Sequence, residues 1–174
     1  MSIKQKLAAY GLSSALLLSG AYLVAPFEGK ENTAYPDPVG IWTICYGETN
    51  DVKRGDYKTD EECLESLVEE LSIHHKQMLP YIKVPMSEKE EAAYLSFTYN
   101  VGVGAFSKST LLKRLNDNRR VEACNELLRW DKAGGKVLRG LTRRRQAENK
   151  MCLEGVAEYE DEKARQELEA ETTP

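Results

Sequence analysis

Three residues in one short stretch carry side chains that can do hydrolytic chemistry together. In EGKENTAYPDPVGIWT (28–43), Glu28 is followed nine residues on by Asp37 and six further by Thr43. A carboxylic acid can protonate a leaving oxygen, a carboxylate can activate water, and a hydroxyl can hold that water in place. Glu28 closes the longest uncharged segment of the chain, and partial burial there would favour the protonated form that a general acid needs. Asp37 stands in a Pro-Asp-Pro turn, where water reaches its carboxylate. Two carboxyl groups in contrasting environments are what glycoside hydrolysis requires. Taken singly, each residue has an ordinary structural reading as well: a helix end, a turn former beside proline, and a β-branched strand residue.

The elements that must position them follow from local pattern. Residues 31–58 hold Pro36, Pro38, Gly40, Gly47 and Gly55, with apolar and β-branched residues over 39–46, which predicts a small hairpin or sheet. Thr59-Asp-Glu-Glu62 is a capping box opening a helix with Leu64, Leu67, Val68 and Leu71 on one side, stopped near Pro80. Ser87-Glu-Lys-Glu90 is a second capping box, ahead of Ala92, Ala93, Leu95, Phe97 and Tyr99. Ser107 and Asn118 are candidate caps of two more helices, and Gly134-Gly135 breaks the chain before a helix expected over 142–154. The remaining tail has few apolar residues and reads as frayed helix or disorder. The fold class is α+β, mostly α, in one ordinary domain of a 174-residue chain.

Ahead of Glu28, MSIKQK supplies two lysines, and residues 7–27 then run without a charge. Twenty-one residues at a rise of about 1.5 Å can span a hydrocarbon core of roughly 30 Å. Ala, Gly, Ser and Tyr fill 12 of these 21 places, however, so the insertion signal is weak. Lysines before the run and acids after it predict an N-in, C-out orientation, with the body in the periplasm. Four readings of the segment stand: a signal peptide cut at Ser19-Gly20-Ala21, a permanent anchor, a buried core helix, or a helix able to enter the membrane and leave it.

The formal charge of −4 hides an asymmetry. Residues 28–70 carry 12 acidic against 4 basic groups, residues 108–150 carry 13 basic against 5, and the last twenty residues add 7 acidic against 2. The basic half could face a polyanion, either nucleic acid or the bacterial envelope. A nucleic-acid-binding protein would leave the uncharged N-terminus without purpose, and a non-catalytic wall-binding module would leave the Glu–Asp–Thr triple without one. Cys45, Cys63, Cys124 and Cys152 are either two disulfides outside the cytoplasm or four reduced thiols. There is no Cys-x-x-Cys, and the adjacent His74 and His75 point about 100° apart on a helix, so no metal site is expected. Of the three possible pairings, proximity favours Cys45–Cys63 and Cys124–Cys152.

The stretch EGKENTAYPDPVGIWTICYG resembles the catalytic segment of the phage-type lysozymes, glycoside hydrolase family 24, with its Glu, eight residues, Asp or Cys, five residues, Thr pattern. SFTYNVGVGAFSKSTLLKRLN (96–116) is similar to that family's central helix and Gly-rich turn. RWDKAGGKVLRGLTRRRQAENKMC (129–152) is similar to its C-terminal segment, with Gly-Leu-x-x-Arg-Arg-x-x-Glu at 140–148. The resemblance implies a lysozyme-like fold with a small β lobe and a helical lobe. It implies hydrolysis of the β-1,4 bond between N-acetylmuramic acid and N-acetylglucosamine in peptidoglycan, with inversion and no cofactor. Glu28 would be the general acid, Asp37 would activate water, and Thr43 would hold it. Arg144 or Arg145 would pair with Glu28. The uncharged N-terminus resembles a signal-anchor-release segment, which implies an inner-membrane tether followed by release to the periplasm. The expected division is a release segment over 1–27, a catalytic domain over 28–155 and an acidic tail over 156–174. The expected partners are glycan strands and, before release, the host inner membrane; nucleic acid is not expected, and the protein is expected to be a monomer.

Overall fold

The computed structural model describes residues 3–8, 11–37 and 39–172. Parts of the expected membrane run (residues 9 and 10) and of the expected turn (Pro38) lie outside the described residues, as do residues 1–2 and 173–174. The N-terminal run is a chain of short pieces rather than one rod. Helix α1 (Ile3–Ala8) is followed by a turn at Gly11, α2 (Ser14–Leu18), a π-helical stretch Ser19–Val24 and α3 (Ala25–Glu28). Among the described residues no helix is long and apolar enough to cross a membrane. A single membrane-length helix over 7–27 is therefore not the conformation of this structure. Leu7, Leu16, Leu23 and Val24 are instead buried in the protein core. Gly20 lets the segment lie close on the body. A Cβ there would stand 2.9 Å from Cδ1 of Leu71 and 3.1 Å from Cδ1 of Leu7.

Strands β1 (Glu31–Pro36) and β2 (Trp42–Cys45) pair antiparallel, with Tyr35 opposite Thr43 and Pro36 opposite Trp42. Within the hairpin expected over 31–58, the second strand starts only at Trp42. Val39 and Ile41 fall in the connecting turn at 79% and 51% exposure, because the Asp37 side chain closes that turn on their amides. Helix α4 (Asp60–Met78) begins at the full Thr59–Glu62 capping box, and its buried Leu64, Leu67 and Leu71 sit at helical spacing. A 3₁₀ turn, Leu79–Tyr81, with Pro80 inside it, ends the helix.

Helix α5 (Glu88–Val101) starts at the second capping box and is buried along the whole run from Ala92 to Thr98. It is the central rod, packed by α4, the N-terminal segment and the C-terminal helix. Helices α6 (Val103–Ser107) and α7 (Thr110–Asn116) follow. Ser109, not Ser107, caps α7, accepting from the Leu112 amide at 3.1 Å; the Ser107 hydroxyl is turned back onto the Gly104 carbonyl. Nor does Asn118 cap α8 (Arg120–Glu126). It takes the left-handed bend before the helix and accepts from Nε of Arg120 at 3.0 Å. After the 3₁₀ turn Leu127–Arg129, Gly134-Gly135 makes the turn of a hairpin of β3 (Lys132–Ala133) and β4 (Lys136–Val137).

Helix α9 runs from Arg139 to Thr172, well past both expected limits. The boundary expected at 155/156 falls inside it. Val156 is buried, Tyr159 lies over the Arg120 guanidinium at 3.8 Å, and Glu154 and Glu158 reach Lys89 of α5 at 3.4 and 2.6 Å. Beyond Tyr159 the helix is exposed and carries same-face pairs such as Gln166 to Glu162. Two disulfides brace the assembly: Cys45–Cys63 ties β2 to α4, and Cys124–Cys152 ties α8 to α9.

Candidate active site

Glu28 is the last residue of α3, and Gly29, at φ +72°, turns the chain sharply away into β1. Its side chain is 22% exposed. One carboxylate oxygen accepts a hydrogen bond from Nη1 of Arg144. The other faces Gly47, whose φ of +98° excludes most side chains and whose missing Cβ would stand 3.4 Å from it. Glu28 lines a cavity of about 700 Å³ with Phe27, Asn100, Leu141, Arg143 and Arg144. The acid thus sits where the apolar N-terminal segment, the β lobe and α9 meet.

Behind it lies a buried charged cluster. Arg144, 3% exposed, donates from Nε to Glu148 at 3.2 Å and from Nη2 to the Ser96 carbonyl at 3.2 Å. The fully buried Glu148 accepts from the Ser96 hydroxyl at 2.7 Å and forms an ion pair with Arg145 at 3.1 Å. Burial raises the Glu148 carboxyl above its ordinary range, with Arg145, Arg144 and Ser96 opposing that rise in part. Oε1 takes both hydrogen bonds, from Ser96 and Arg144, whereas Oε2 lies 3.1 Å from Nη1 of Arg145 without a hydrogen bond. Arg145 lies over the Phe97 ring at 5.0 Å and donates to Oδ1 of Asn100 at 2.5 Å. Of the two arginines expected to pair with Glu28, Arg144 makes the contact, while Arg145 holds Glu148 and Asn100. Successive helix residues point about 100° apart, so α9 can aim only one of them at the acid.

Asp37 and Thr43 both belong to the β1–β2 hairpin. Oδ1 of Asp37 accepts from the amides of Val39 and Ile41 at 2.9 and 2.8 Å, which fixes the turn. Oδ2 has no donor among the described residues. Thr43 is buried and donates to the Ile41 carbonyl at 3.1 Å. Among the described residues no hydrogen bond or ion pair links either side chain to Glu28; Thr43 stands opposite Tyr35 in the hairpin, and the Asp37 amide donates to the Ile41 carbonyl at 2.9 Å. Tyr99 of α5, its phenol pushed up by burial and by the charges of Glu28 and Glu70, donates to the Tyr46 carbonyl at 3.1 Å and so ties α5 to the turn beside Glu28. No group of three or more metal-ligating side chains occurs among the described residues.

Sequence pattern places Tyr99 only among the apolar residues of α5 and gives Ser96 and Asn100 no role. Their signal was present: three polar residues at i, i+3 and i+4 in a helix otherwise buried and largely apolar mark one face turned to polar neighbours.

A family model described as phage lysozyme matches residues 25–148. The SAR-endolysin of Enterobacteria phage PA-2 is 38% identical over 160 residues, covering 88% of this chain and 97% of its own. Among solved structures, the active form of the P1 phage endolysin Lyz superposes with a TM-score of 0.76 at 24% identity, covering 88% of this chain and 93% of that one. The secreted inactive form of the same endolysin gives 0.52 at 22% identity, covering 83% and 96%. With the match taking in Glu28, the hairpin and the Arg144–Glu148 cluster in one continuous span, the chain belongs to the phage lysozyme family.

Proposed function

We propose that the protein is an endolysin that hydrolyses the β-1,4 bond between N-acetylmuramic acid and N-acetylglucosamine of peptidoglycan, and so lyses the host. The observation that carries this reading is the placement of Glu28: partly buried, at the wall of a large cavity, with its carboxyl group oriented by Arg144. In this reading Glu28 protonates the glycosidic oxygen. Asp37, with Oδ2 open to water, activates or positions the attacking water from the hairpin, and Thr43 steadies the same water. Attack from the face opposite the leaving group inverts the anomeric carbon.

The N-terminal segment, residues 1–27, acts first as an inner-membrane tether and later as part of the enzyme. The names of the relatives, SAR-endolysins, support this. So does the closer likeness to the active than to the inactive form of the P1 endolysin, which fits a released, docked state. The protein then works as a monomer in the periplasm. The test is product analysis on purified peptidoglycan. Reducing N-acetylmuramic acid ends formed first as the α anomer are expected. Formation of anhydro ends, or of the β anomer first, overturns the hydrolytic or the inverting assignment.

A further inference from the structure

An ion pair with an arginine poses a problem for a general acid, because a neighbouring guanidinium favours the carboxylate over the protonated form. Glu28 faces Arg144 and, at longer range, Arg145, both from α9. From α5 it is faced by Tyr99, and the charges of Glu48 and Glu70 act on that same phenol. Arg143 lines the cavity beside it. The turn at Gly47 offers it backbone only, and the N-terminal segment that carries it has no charge from Leu7 onward. The negative charge in direct contact with the two cations is Glu148, at 3.2 Å from Arg144 and 3.1 Å from Arg145.

We infer that Glu148 is a positioning residue of the reaction, one that holds Arg144 against Glu28 while offsetting the positive charge that Arg144 and Arg145 bring there. The proposal rests on the reading of Glu28 as the acid and deepens it. Geometry supports the holding role. Arg144 has three engaged nitrogens: Nε goes to Glu148, Nη2 to the Ser96 carbonyl, and Nη1 alone is left for Glu28. With Glu148 fixed in turn by the Ser96 hydroxyl, the guanidinium plane has little freedom, and its one remaining donor points at the acid. Charge supports the offsetting role. Two guanidinium groups and an ionised Glu148 would leave a net charge of one positive beside a protonated Glu28; with glutamine at 148 the net charge there is two. Arg144, Arg145 and Glu148 are buried, and in such surroundings a change of charge acts over several ångströms.

The test uses the full chain with both disulfides formed. Glu148→Gln keeps the shape and removes the charge, and Ser96→Ala removes the donor that fixes Glu148. For each, kcat and KM on solubilised peptidoglycan fragments are followed from about pH 4 to about pH 9, beside the melting temperature. In Glu148→Gln the alkaline limb of the kcat/KM profile is expected about one pH unit lower than in the parent. The loss near neutrality should be about tenfold or more in kcat with KM little changed, and it should shrink toward acid pH. Ser96→Ala should move the limb in the same sense by less. A residue that only fills the core would lower the melting temperature and leave the limb where it is. Unmoved limbs in both variants overturn the proposal, and if Glu148→Gln does not fold, an unmoved limb in Ser96→Ala does so alone. Glu28→Gln is the companion control. Retained activity there removes the acid assignment and this proposal with it; an inactive Glu28→Gln with unmoved limbs removes this proposal only.

Discussion

Glu28 has one oxygen on Arg144 and the other against Gly47, so changing its chemistry without its shape is a clean perturbation. Glu28→Gln is expected to lose lysis by about 10²–10⁴-fold or more while its circular dichroism and melting curve stay near those of the parent. Asp37→Asn should be nearly as severe, and Thr43→Ala milder, in the same turbidity assay on permeabilised cells. Arg144→Lys belongs with these. A lysine has one point of charge and cannot serve Glu28, Glu148 and the Ser96 carbonyl from one plane, so a loss of kcat larger than any rise in KM is expected from steady-state kinetics. The Glu–Asp–Thr spacing is legible because it lies within sixteen residues and its last two members belong to one hairpin. The choice between Arg144 and Arg145 is not. It depends on which face α9 turns toward α5, and adjacent arginines give a pattern search no means of fixing that rotation.

The helices that announce themselves are those with a complete local signal. Both Ser/Thr-x-x-Glu capping boxes are made, because each satisfies backbone amides at the start of its own helix and needs no distant partner. The α7 start lies two residues beyond the expected Ser107, because Ser107 is still the last residue of α6 and Ser109 takes the cap. The tail, expected as frayed helix or disorder, is helical to Thr172 and exposed beyond Tyr159. Its helix is extended by contacts that sequence does not advertise: Tyr159 over Arg120, two glutamates on Lys89, and Gly155 laid against the α5 N-terminus. A Cβ on Gly155 would stand 2.4 Å from the Ser87 hydroxyl and 2.6 Å from the Glu90 amide, which is backbone and cannot give way cheaply. Gly155→Ala is therefore expected to destabilise the protein by about 1–3 kcal/mol, read as a lower midpoint in urea with an unchanged slope. Specific activity of the molecules that remain folded should equal that of the parent, because this joint lies at the other end of α5 from Asn100 and the acid.

At the scale of the molecule, the proposed tether asks one segment to satisfy two solvents. Residues 7–27 carry no charge, and here the segment is broken at Gly11, wound as a π-helix from Ser19 to Val24 and packed by Leu7, Leu16, Leu23 and Val24 into the core. Its small residues serve both states differently, and burial separates them. Gly20 is buried and touches the body, so a leucine there would favour the membrane and also crowd Leu7 and Leu71 in the docked form. Ser13 and Ser14 are exposed, so leucines there should leave the docked contacts alone while each makes residence in lipid more favourable by several tenths of a kcal/mol or more. The double variant Ser13→Leu/Ser14→Leu is therefore expected to stay longer in the inner-membrane fraction and delay lysis. The same protein, extracted and purified, should cleave peptidoglycan as fast as the parent. Gly20→Leu should be slow on both counts, which separates retention from faulty docking. Cell fractionation with immunoblotting reads the first effect and a turbidity assay the second. If the serine double variant reaches the soluble periplasm uncleaved as fast as the parent, the segment is not held by lipid. If the parent is cut after Ala21, the docked form loses Leu7 and Leu16 from its core, and a segment that must return to complete the enzyme is ruled out.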